Sequence, residues 1–305
     1  MELKKIQYFL RIADKRSLTK AAESLYLTQP TLSRFLDKLE QEAGIPLFVR
    51  RKNSILELTD AGIIYLKTAR QIHDLWSGLE NELSSVRRAA NNHILFGICG
   101  DNLQKFASDC ADSVRKRYPG TTVEFICDSS LTIQKLVASG EIDIGIAAYL
   151  ETDPNLTYFP CTVSEMDLVV SHENKLPFCS VQLAQRNDQR LSLRELASDT
   201  HFALMREGPI LRQTVDRYFQ QEKLQPHIQK TYMRHNSLVK ILTDDPSLVG
   251  FCPANHHSDQ LTHIALDPPF YYTQGVCYRK SAHFTQAQQY LLQLLKKQPK
   301  TRNLD

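Results

Sequence analysis

Between Thr28 and Lys38 the chain places Gln29, Thr31, Ser33, Arg34, Asp37 and Lys38 in the gaps of an apolar series formed by Leu32, Phe35, Leu36, Leu39 and Ala43. That series advances in steps of three and four, as one buried helix face requires, so the polar set falls on the opposite side. Its residue types suit a nucleic-acid duplex. Glutamine can bond an adenine edge through two hydrogen bonds, arginine can do the same to guanine, and serine or threonine can serve base or phosphate. Thr28 suits the N-cap of this helix and Pro30 its first turn, where no intrahelical donor is needed. The free amides of such a helix start favour phosphate, and Pro30 and Thr31 could meet a thymine methyl. A second basic group, Arg50, Arg51, Lys52 and Asn53, lies in a polar turn between two short apolar runs and suits phosphate or minor-groove contact. Asp37 would repel phosphate and is expected to face a base or point away. By spacing alone, an ordinary solvated face explains these residues equally well.

Charge placement favours the duplex reading. Residues 1–52 hold 11 Lys and Arg against 6 Asp and Glu, whereas residues 91–305 hold 22 against 23. A basic end on a nearly neutral body suggests that this end meets a polyanion. Other chemistries lack their residues. No G-x-S-x-G, P-loop or G-x-G-x-x-G occurs, which leaves hydrolase, NTPase and dinucleotide readings without support. His256, His257 and His263 find no cysteine or carboxylate at a convincing metal-ligand spacing. Seven cysteines, at 99, 110, 127, 161, 179, 252 and 277, are odd in number and widely spaced, with no C-x-x-C. Reduced, mostly buried thiols are expected rather than a disulfide framework. No apolar run reaches the ~18–20 residues of a membrane span. The start Met1-Glu2-Leu3-Lys4-Lys5-Ile6-Gln7 lacks the apolar core of a signal peptide. A cytoplasmic protein with no cofactor, no metal and no membrane partner is the expectation.

The elements that would carry the polar face read as a tight helical head. Leu3, Ile6, Phe9, Leu10 and Ala13 give a first amphipathic helix, and Ser17 caps a short second one with Leu18, Ala21, Ala22 and Leu25. Thr28 then opens the third, which Gly44 stops. Two helices joined by about three residues form a helix-turn-helix, and residues 45–58 read as a basic hairpin, or wing. A long helix from Thr59 to about Ala90 carries Leu58, Gly62, Tyr65, Ala69, Ile72, Trp76, Leu79, Leu83, Val86 and Ala90 in alternating steps of four and three, a coiled-coil seam. The competing reading is a single amphipathic helix packed on its own domain. From residue 91, strands at 93–99, 121–127 and 141–147 alternate with helices at 102–118 and 130–139, which implies a parallel sheet covered on both faces. A second such unit spans about 165–265, and a strand near 274–278 and a helix near 285–297 complete the chain. For 305 residues, at ~100–200 per domain, the organisation is 1–58 head, 59–90 linker helix and 91–305 body. The body divides into lobe I, about 91–162 and 269–305, and lobe II, about 163–268, with crossovers near 162–168 and 263–270.

The first ~62 residues resemble the DNA-binding head of LysR-type transcriptional regulators. The resemblance rests on Leu3 through Phe9, Ser17-Leu18-Thr19-Lys20-Ala21-Ala22, Leu27-Thr28-Gln29-Pro30-Thr31-Leu32-Ser33, Leu39-Glu40, Gly44-Ile45-Pro46-Leu47-Phe48-Val49-Arg50 and Leu58-Thr59-Asp60-Ala61-Gly62. The body matches more diffusely, through Arg117-Tyr118-Pro119-Gly120, Gly140-Glu141-Ile142-Asp143-Ile144-Gly145-Ile146 and Gly250-Phe251-Cys252-Pro253. The resemblance implies an α/β chain: an N-terminal winged helix-turn-helix, a long linker helix, and a two-lobed α/β effector domain like periplasmic binding proteins. Its implied activity is sequence-specific DNA-binding regulation, not catalysis. The DNA-contacting residues would then be Thr28, Gln29, Pro30, Thr31, Ser33, Arg34, Lys38, Arg50, Arg51, Lys52 and Asn53. Implied partners are an imperfect inverted-repeat operator, a second or further copies of the chain (dimer or tetramer), a small-molecule effector and RNA polymerase.

Open parallel sheets bind ligands beyond the carboxyl ends of their strands. The loops there hold Gly100, Asp101, Asn102, Ser129, Ser130, Tyr149, Arg206 and Asn236, which are the candidate effector contacts. Ser129 and Ser130 at a helix start could seat an anion, and Arg206 could pair a carboxylate. Asp101 stands where the family often has a hydroxyl residue, and would favour an amine or a hydroxylated ligand. Helix caps and surface loops account for the same residues equally well. Asp244-Asp245-Pro246-Ser247 also departs from the glycine-rich turn usual there, and Met205–Arg212 lacks the cysteine of peroxide-sensing members. Two other readings stand beside this one: an architectural DNA binder whose body only oligomerises, and a cytoplasmic solute-binding protein.

Overall fold

The computed structural model describes residues 3–50, 55–99, 104–174, 190–196, 200–233, 237–256 and 258–297. It divides into two units, Met1–Leu83 and Ser84–Asp305.

The first unit holds α1 (Leu3–Lys15), α2 (Leu18–Ser24), α3 (Gln29–Ala43), β1 (Phe48–Arg50), β2 (Leu56–Leu58) and the greater part of α4 (Asp60–Ala90). The expected caps are present. Ser17 accepts from the Lys20 amide, Thr28 accepts from the Thr31 amide, and Gly44 ends α3 in the left-handed region at φ 69°. Ile6, Phe9 and Ile12 from α1, Ala21 and Ala22 from α2, and Leu32, Leu36 and Leu39 from α3 bury together with Leu47, Phe48 and Leu56 of the wing. At roughly 1.5–3 kcal/mol per buried large side chain, this small core holds three short helices that would not persist alone. Phe9 sits at its centre, 4.5 Å from the Tyr65 ring and 5.3 Å from Phe48.

That packing corrects the seam expected along the linker helix. Gly62 and Ala69 are buried in the head's own core, with Leu58, Tyr65 and Ile72 packed against it. A Cβ at Gly62 would lie 2.0 Å from the Leu47 carbonyl oxygen, so glycine lets the helix start press onto the wing. The small residues of the seam serve this intramolecular contact. Further on, the seam residues Trp76, Leu79, Leu83 and Val86 stay 41–67% exposed, and the neighbouring Leu75 is 76% exposed.

The second unit begins with the last two turns of α4. Its sheet has the order β4-β3-β5-β11-β6-β9-β7-β8, with β10 against β6. The strands are β3 (His93–Ile98), β4 (Thr122–Cys127), β5 (Ile144–Ala148), β6 (Leu156–Ser171), β7 (His201–Met205), β8 (His227–Tyr232), β9 (Leu248–Pro253), β10 (Leu261–Ile264) and β11 (Tyr271–Arg279). Helices α5 (Gln104–Arg117), α6 (Ser130–Ser139), α7 (Ile210–Glu222), α8 (Ser237–Asp244) and α9 (Gln286–Lys296) cover it, with a short 3-10 turn at Leu193–Glu195.

The sheet is mixed rather than parallel. β3 runs parallel to β4 and β5, and β7 to β8 and β9, but β11 pairs antiparallel with β5 and β6, and β6 with β9 and β10. Two long strands cause this. β6 and β11 lie side by side and pass together from one lobe to the other. Their register shifts between Gln274 and Gly275, opposite Pro160. A proline inside a strand pattern argues against a strand, yet it is tolerated at a bulge, and β6 runs on through Pro160 from Leu156 to Ser171. The lobes therefore exchange at about 162–165 and 271–274, the second point a few residues later than expected. β8 and β10 escape sequence reading because neither shows a clean alternation of buried and exposed positions.

Lobe I packs α5 and α9 on one face of its sheet and α6 on the other. A Cβ at Gly145 would come within 2.7 Å of Ile133 on α6, so that glycine sets the helix-to-sheet approach. Beneath it lies a buried carboxylate, Asp143, with its side chain 2% exposed. It accepts from the Arg88 guanidinium at 2.9 Å, the Ser85 hydroxyl at 3.1 Å and the Leu95 amide at 2.9 Å, while Arg88 also donates to the Gly140 carbonyl at 2.9 Å.

Candidate functional site

In the head, α3 divides as its pattern demands. Leu32, Leu36 and Leu39 are buried; Thr28, Gln29, Pro30, Thr31, Arg34, Asp37 and Lys38 are exposed, and Ser33 is half-buried. The Thr28 hydroxyl lies 2.8 Å from that of Thr31, so the cap holds the first turn that presents Gln29 and Pro30. The Gln29 and Arg34 side chains make no hydrogen bond or ion pair with any described residue, which leaves their donors and acceptors available for a partner.

Three contacts orient α3 against its neighbours. Lys5 donates to both Glu42 oxygens at 2.9 Å, tying α1 to the end of α3. This hydrogen bond holds the Glu42 carboxyl below its ordinary value. Glu40 accepts from the amides of Leu47 and Phe48 at 2.7 and 2.9 Å, fixing where the wing starts. At the other end of the wing, the Leu56 amide donates to the Arg16 carbonyl at 2.9 Å, and β1 and β2 pair through Phe48–Leu58, Val49–Glu57 and Arg50–Leu56. Of the basic wing residues, Arg50 is described in its backbone only; Arg51, Lys52 and Asn53 lie outside the described residues. Glu40 is a residue whose role its sequence neighbours do not reveal. Its contribution depends on a contact seven residues away that no local pattern displays.

In the body, the candidate effector residues fare unequally. Gly100, Asp101, Asn102 and Asn236 lie outside the described residues. Ser129 is the N-cap of α6, its hydroxyl accepting from the Thr132 amide at 3.2 Å. The Ser130 hydroxyl accepts from the Ala148 amide at 3.0 Å and donates to the Cys99 sulfur at 3.0 Å, joining the ends of β3 and β5 to α6. Both hydroxyls are thus engaged by the fold itself, as helix-capping residues usually are. Tyr149 is half-buried with its ring 4.8 Å from that of Tyr158, and burial pushes its phenol above the ordinary value. Arg206 is exposed at the end of β7, and its amide donates to the Tyr232 carbonyl at 2.8 Å.

Several further polar residues lie near these strand ends. Gln134 donates to the Ala148 carbonyl at 2.9 Å and accepts from the Tyr158 hydroxyl at 2.8 Å. Thr162, Ser164 and Gln274 are buried polar residues on the paired strands where the lobes exchange. Tyr272, beside them, has its phenol pushed up by burial. They sit inside strands, so loop-based reasoning passes over them; a polar residue amid a buried strand was the available signal. Across the lobes, Arg217 on α7 pairs with Glu151 at 2.9 Å. The void of ≈ 10 Å³ among Leu204, Met205, Arg212, Tyr232 and Phe251 lies inside lobe II. It has room for about one water molecule and is no seat for a metabolite.

Comparison with known proteins decides what this combination is. Residues 3–63 match the model of the bacterial regulatory helix-turn-helix proteins of the lysR family, and residues 103–300 match the LysR substrate binding domain. The chain belongs to the LysR family. It is a helix-turn-helix transcriptional regulator with a substrate-binding domain. Among its relatives are two uncharacterized HTH-type transcriptional regulators of Bacillus subtilis. YybE is 27% identical over 75% of this chain and 74% of its own length, and YwbI is 29% identical over 75% and 72%. In fold, this LysR regulator resembles full-length BenM (TM-score 0.54, 21% identity, 97% of this chain and 96% of that one). It also resembles HinK of Pseudomonas aeruginosa (TM-score 0.55, 17% identity, 97% and 98%). Full-length CbnR in complex with its target DNA matches with a TM-score of 0.50 at 17% identity, over 98% and 99%. Among the described residues no helix is long and apolar enough to cross a membrane, and no group of three or more His, Cys, Asp or Glu could hold a metal ion.

Proposed function

We propose that this regulator reads an imperfect inverted-repeat operator in the cytoplasm with two copies of its head, and that a small-molecule effector held by the body alters that reading. The observation that carries the DNA part is the division of α3. One side is sealed into the head's core, and the other presents Thr28, Gln29, Pro30, Thr31, Arg34 and Lys38 to solvent. A helix so presented fits the major groove, and Arg50 to Asn53 are of the residue types that contact phosphate or the minor groove. The likeness of fold to a LysR protein complexed with its target DNA supports the same use here. One recognition helix reads few base pairs. The exposed apolar run Trp76, Leu79, Leu83 and Val86 supports pairing of two chains along the linker helix, as a dimer or as half of a tetramer.

For the effector, the engaged hydroxyls of Ser129 and Ser130 leave Tyr149 and Arg206 as the candidates with groups to offer, with Gly100, Asp101, Asn102 and Asn236 completing the loop set. Arg206 favours a ligand carrying a carboxylate. Such a ligand acts only through unequal affinity for two arrangements of the protein. The body then works as a sensor rather than a catalyst, and RNA polymerase would respond to the altered DNA complex.

The test is a pair of variants in the intact protein. Arg34→Ala should lose roughly 5- to 150-fold in preference for the selected operator over random duplex, the worth of one specific base contact. Lys52→Ala should weaken both duplexes alike and lower the salt slope by about one. Equal effects from the two variants would refute the assigned roles. A screen of metabolites for thermal stabilisation tests the sensor; footprints insensitive to every metabolite would favour an architectural role instead.

A further inference from the structure

Tyr26 is the most exposed large hydrophobic residue described in the molecule, 98% accessible, and it occupies a backbone conformation that tyrosine ordinarily avoids, φ 55°. The conformation has a definite origin. Helix α2 ends in a Schellman cap: the Leu27 amide donates to the Ala22 carbonyl at 2.9 Å, and the Tyr26 amide to Glu23 at 3.2 Å. The residue between must be left-handed, and glycine is the usual occupant because it has no Cβ to clash. The reversal is needed, since it turns the chain from α2 into α3 and lets Leu27 pack on the head core. Tyrosine is not needed for it. Asparagine would make the same turn with less strain, and an exposed ring adds nothing to the core. Arg16 (φ 50°) is also left-handed and exposed, but there the carbonyl receives the Leu56 amide of the wing, a contact that explains the turn. The Tyr26 side chain has no such return among the described residues.

Its place suggests where the return lies. Tyr26 precedes Thr28, the cap of the recognition helix, by two residues, so their Cα atoms are at most ~7 Å apart. The exposed ring therefore stands on the turn that leads into the exposed Gln29 and Pro30, in a segment, residues 1–52, that carries 11 Lys and Arg against 6 Asp and Glu. A phenol there can donate to a phosphate oxygen, and its ring can lie on a deoxyribose, neither of which depends on the base. We infer that Tyr26 is a contact to the DNA sugar–phosphate backbone, retained at a strained turn position for that purpose. This rests on the DNA reading of α3 proposed above and adds to it a residue that positions the recognition helix without choosing sequence.

The experiment uses the full chain, a duplex selected by the wild-type protein from a random pool, and a scrambled duplex of the same composition, with binding followed by fluorescence anisotropy at several salt concentrations. Tyr26→Asn should melt higher than wild type, because the turn is relieved, yet bind both duplexes more weakly by the same factor. That factor is about tenfold for one lost hydrogen bond to a charged group. The salt slope should not move, since a phenol releases no counterion; that separates Tyr26 from Lys52. Tyr26→Phe, which keeps the strained turn, should melt as wild type. Weakened binding by this variant assigns the contact to the hydroxyl, and unchanged binding beside a weakened Asn variant assigns it to the ring. Wild-type affinity of Tyr26→Asn for both duplexes, a loss confined to the selected duplex, or a lower melting temperature would each overturn the inference. A wild-type protein that prefers no duplex would instead overturn the DNA reading itself, whereas normal wild-type and Arg34→Ala behaviour with an unaffected Tyr26→Asn would remove this inference alone.

Discussion

Replacing Asp143 by alanine should unfold the body far more readily than any surface charge change. The carboxylate is 2% exposed and its partner Arg88 14%, so solvent screens the pair little. Alanine would leave the guanidinium with the Gly140 carbonyl but no counter-charge, and would strip the Leu95 amide and the Ser85 hydroxyl of their acceptor. Removing one partner of a buried pair costs about 3–5 kcal/mol, and for a unit of this size each kcal/mol moves the melting temperature by about 2–4 °C. The expected fall is therefore roughly 6–20 °C in the transition of residues 84–305, read by circular dichroism on the intact protein. Hydrogen exchange gives a local reading: the Leu95 amide and the last turn of α4 should lose protection first. Asp143→Leu combined with Arg88→Met should recover part of the loss, because it removes both charges instead of stranding one. A fall under about 1 kcal/mol for Asp143→Ala, the range of an exposed ion pair, would refute the reasoning that this pair holds the end of the linker helix to the sheet.

Gly62→Ala should damage the head, because its Cβ would meet the Leu47 carbonyl at 2.0 Å and the backbone on both sides would have to shift. A loss of about 1–3 kcal/mol is expected for such overpacking, read as a lower melting temperature, and a neutral result would show that the wing yields freely. Thiol labelling should separate the cysteines. Cys127 is exposed and should react first among the described ones. Burial pushes Cys110 and Cys161 up to about 11 and Cys252 and Cys277 up to about 12, so at pH 8 these four should react only on unfolding. In a Cys179→Ser background, Cys127→Ser should remove the fast phase; rapid labelling of Cys277 in the native protein would contradict its burial.

The head was legible in the chain itself because its rules are local. Capping by Ser17 and Thr28, the stop at Gly44, and the division of residues 28–39 into buried and exposed sides all follow from spacing within a few residues, and the wing and linker helix follow from equally short signals. Three things waited for the tertiary structure. The small residues Gly62 and Ala69 fit a seam between chains and a contact within one equally well, and only the approach of the helix to Leu47 assigns them to the latter. The full lengths of β6 and β11 also waited, because the irregularity opposite Pro160, between Gln274 and Gly275, belongs to the pair and not to either strand. The hydroxyls of Ser129 and Ser130 carry the same residue types whether they cap a helix or hold an anion. Their partners, Thr132, Ala148 and Cys99, determine which, and two of those three are brought there by strands that are neighbours in the sheet and distant in the chain.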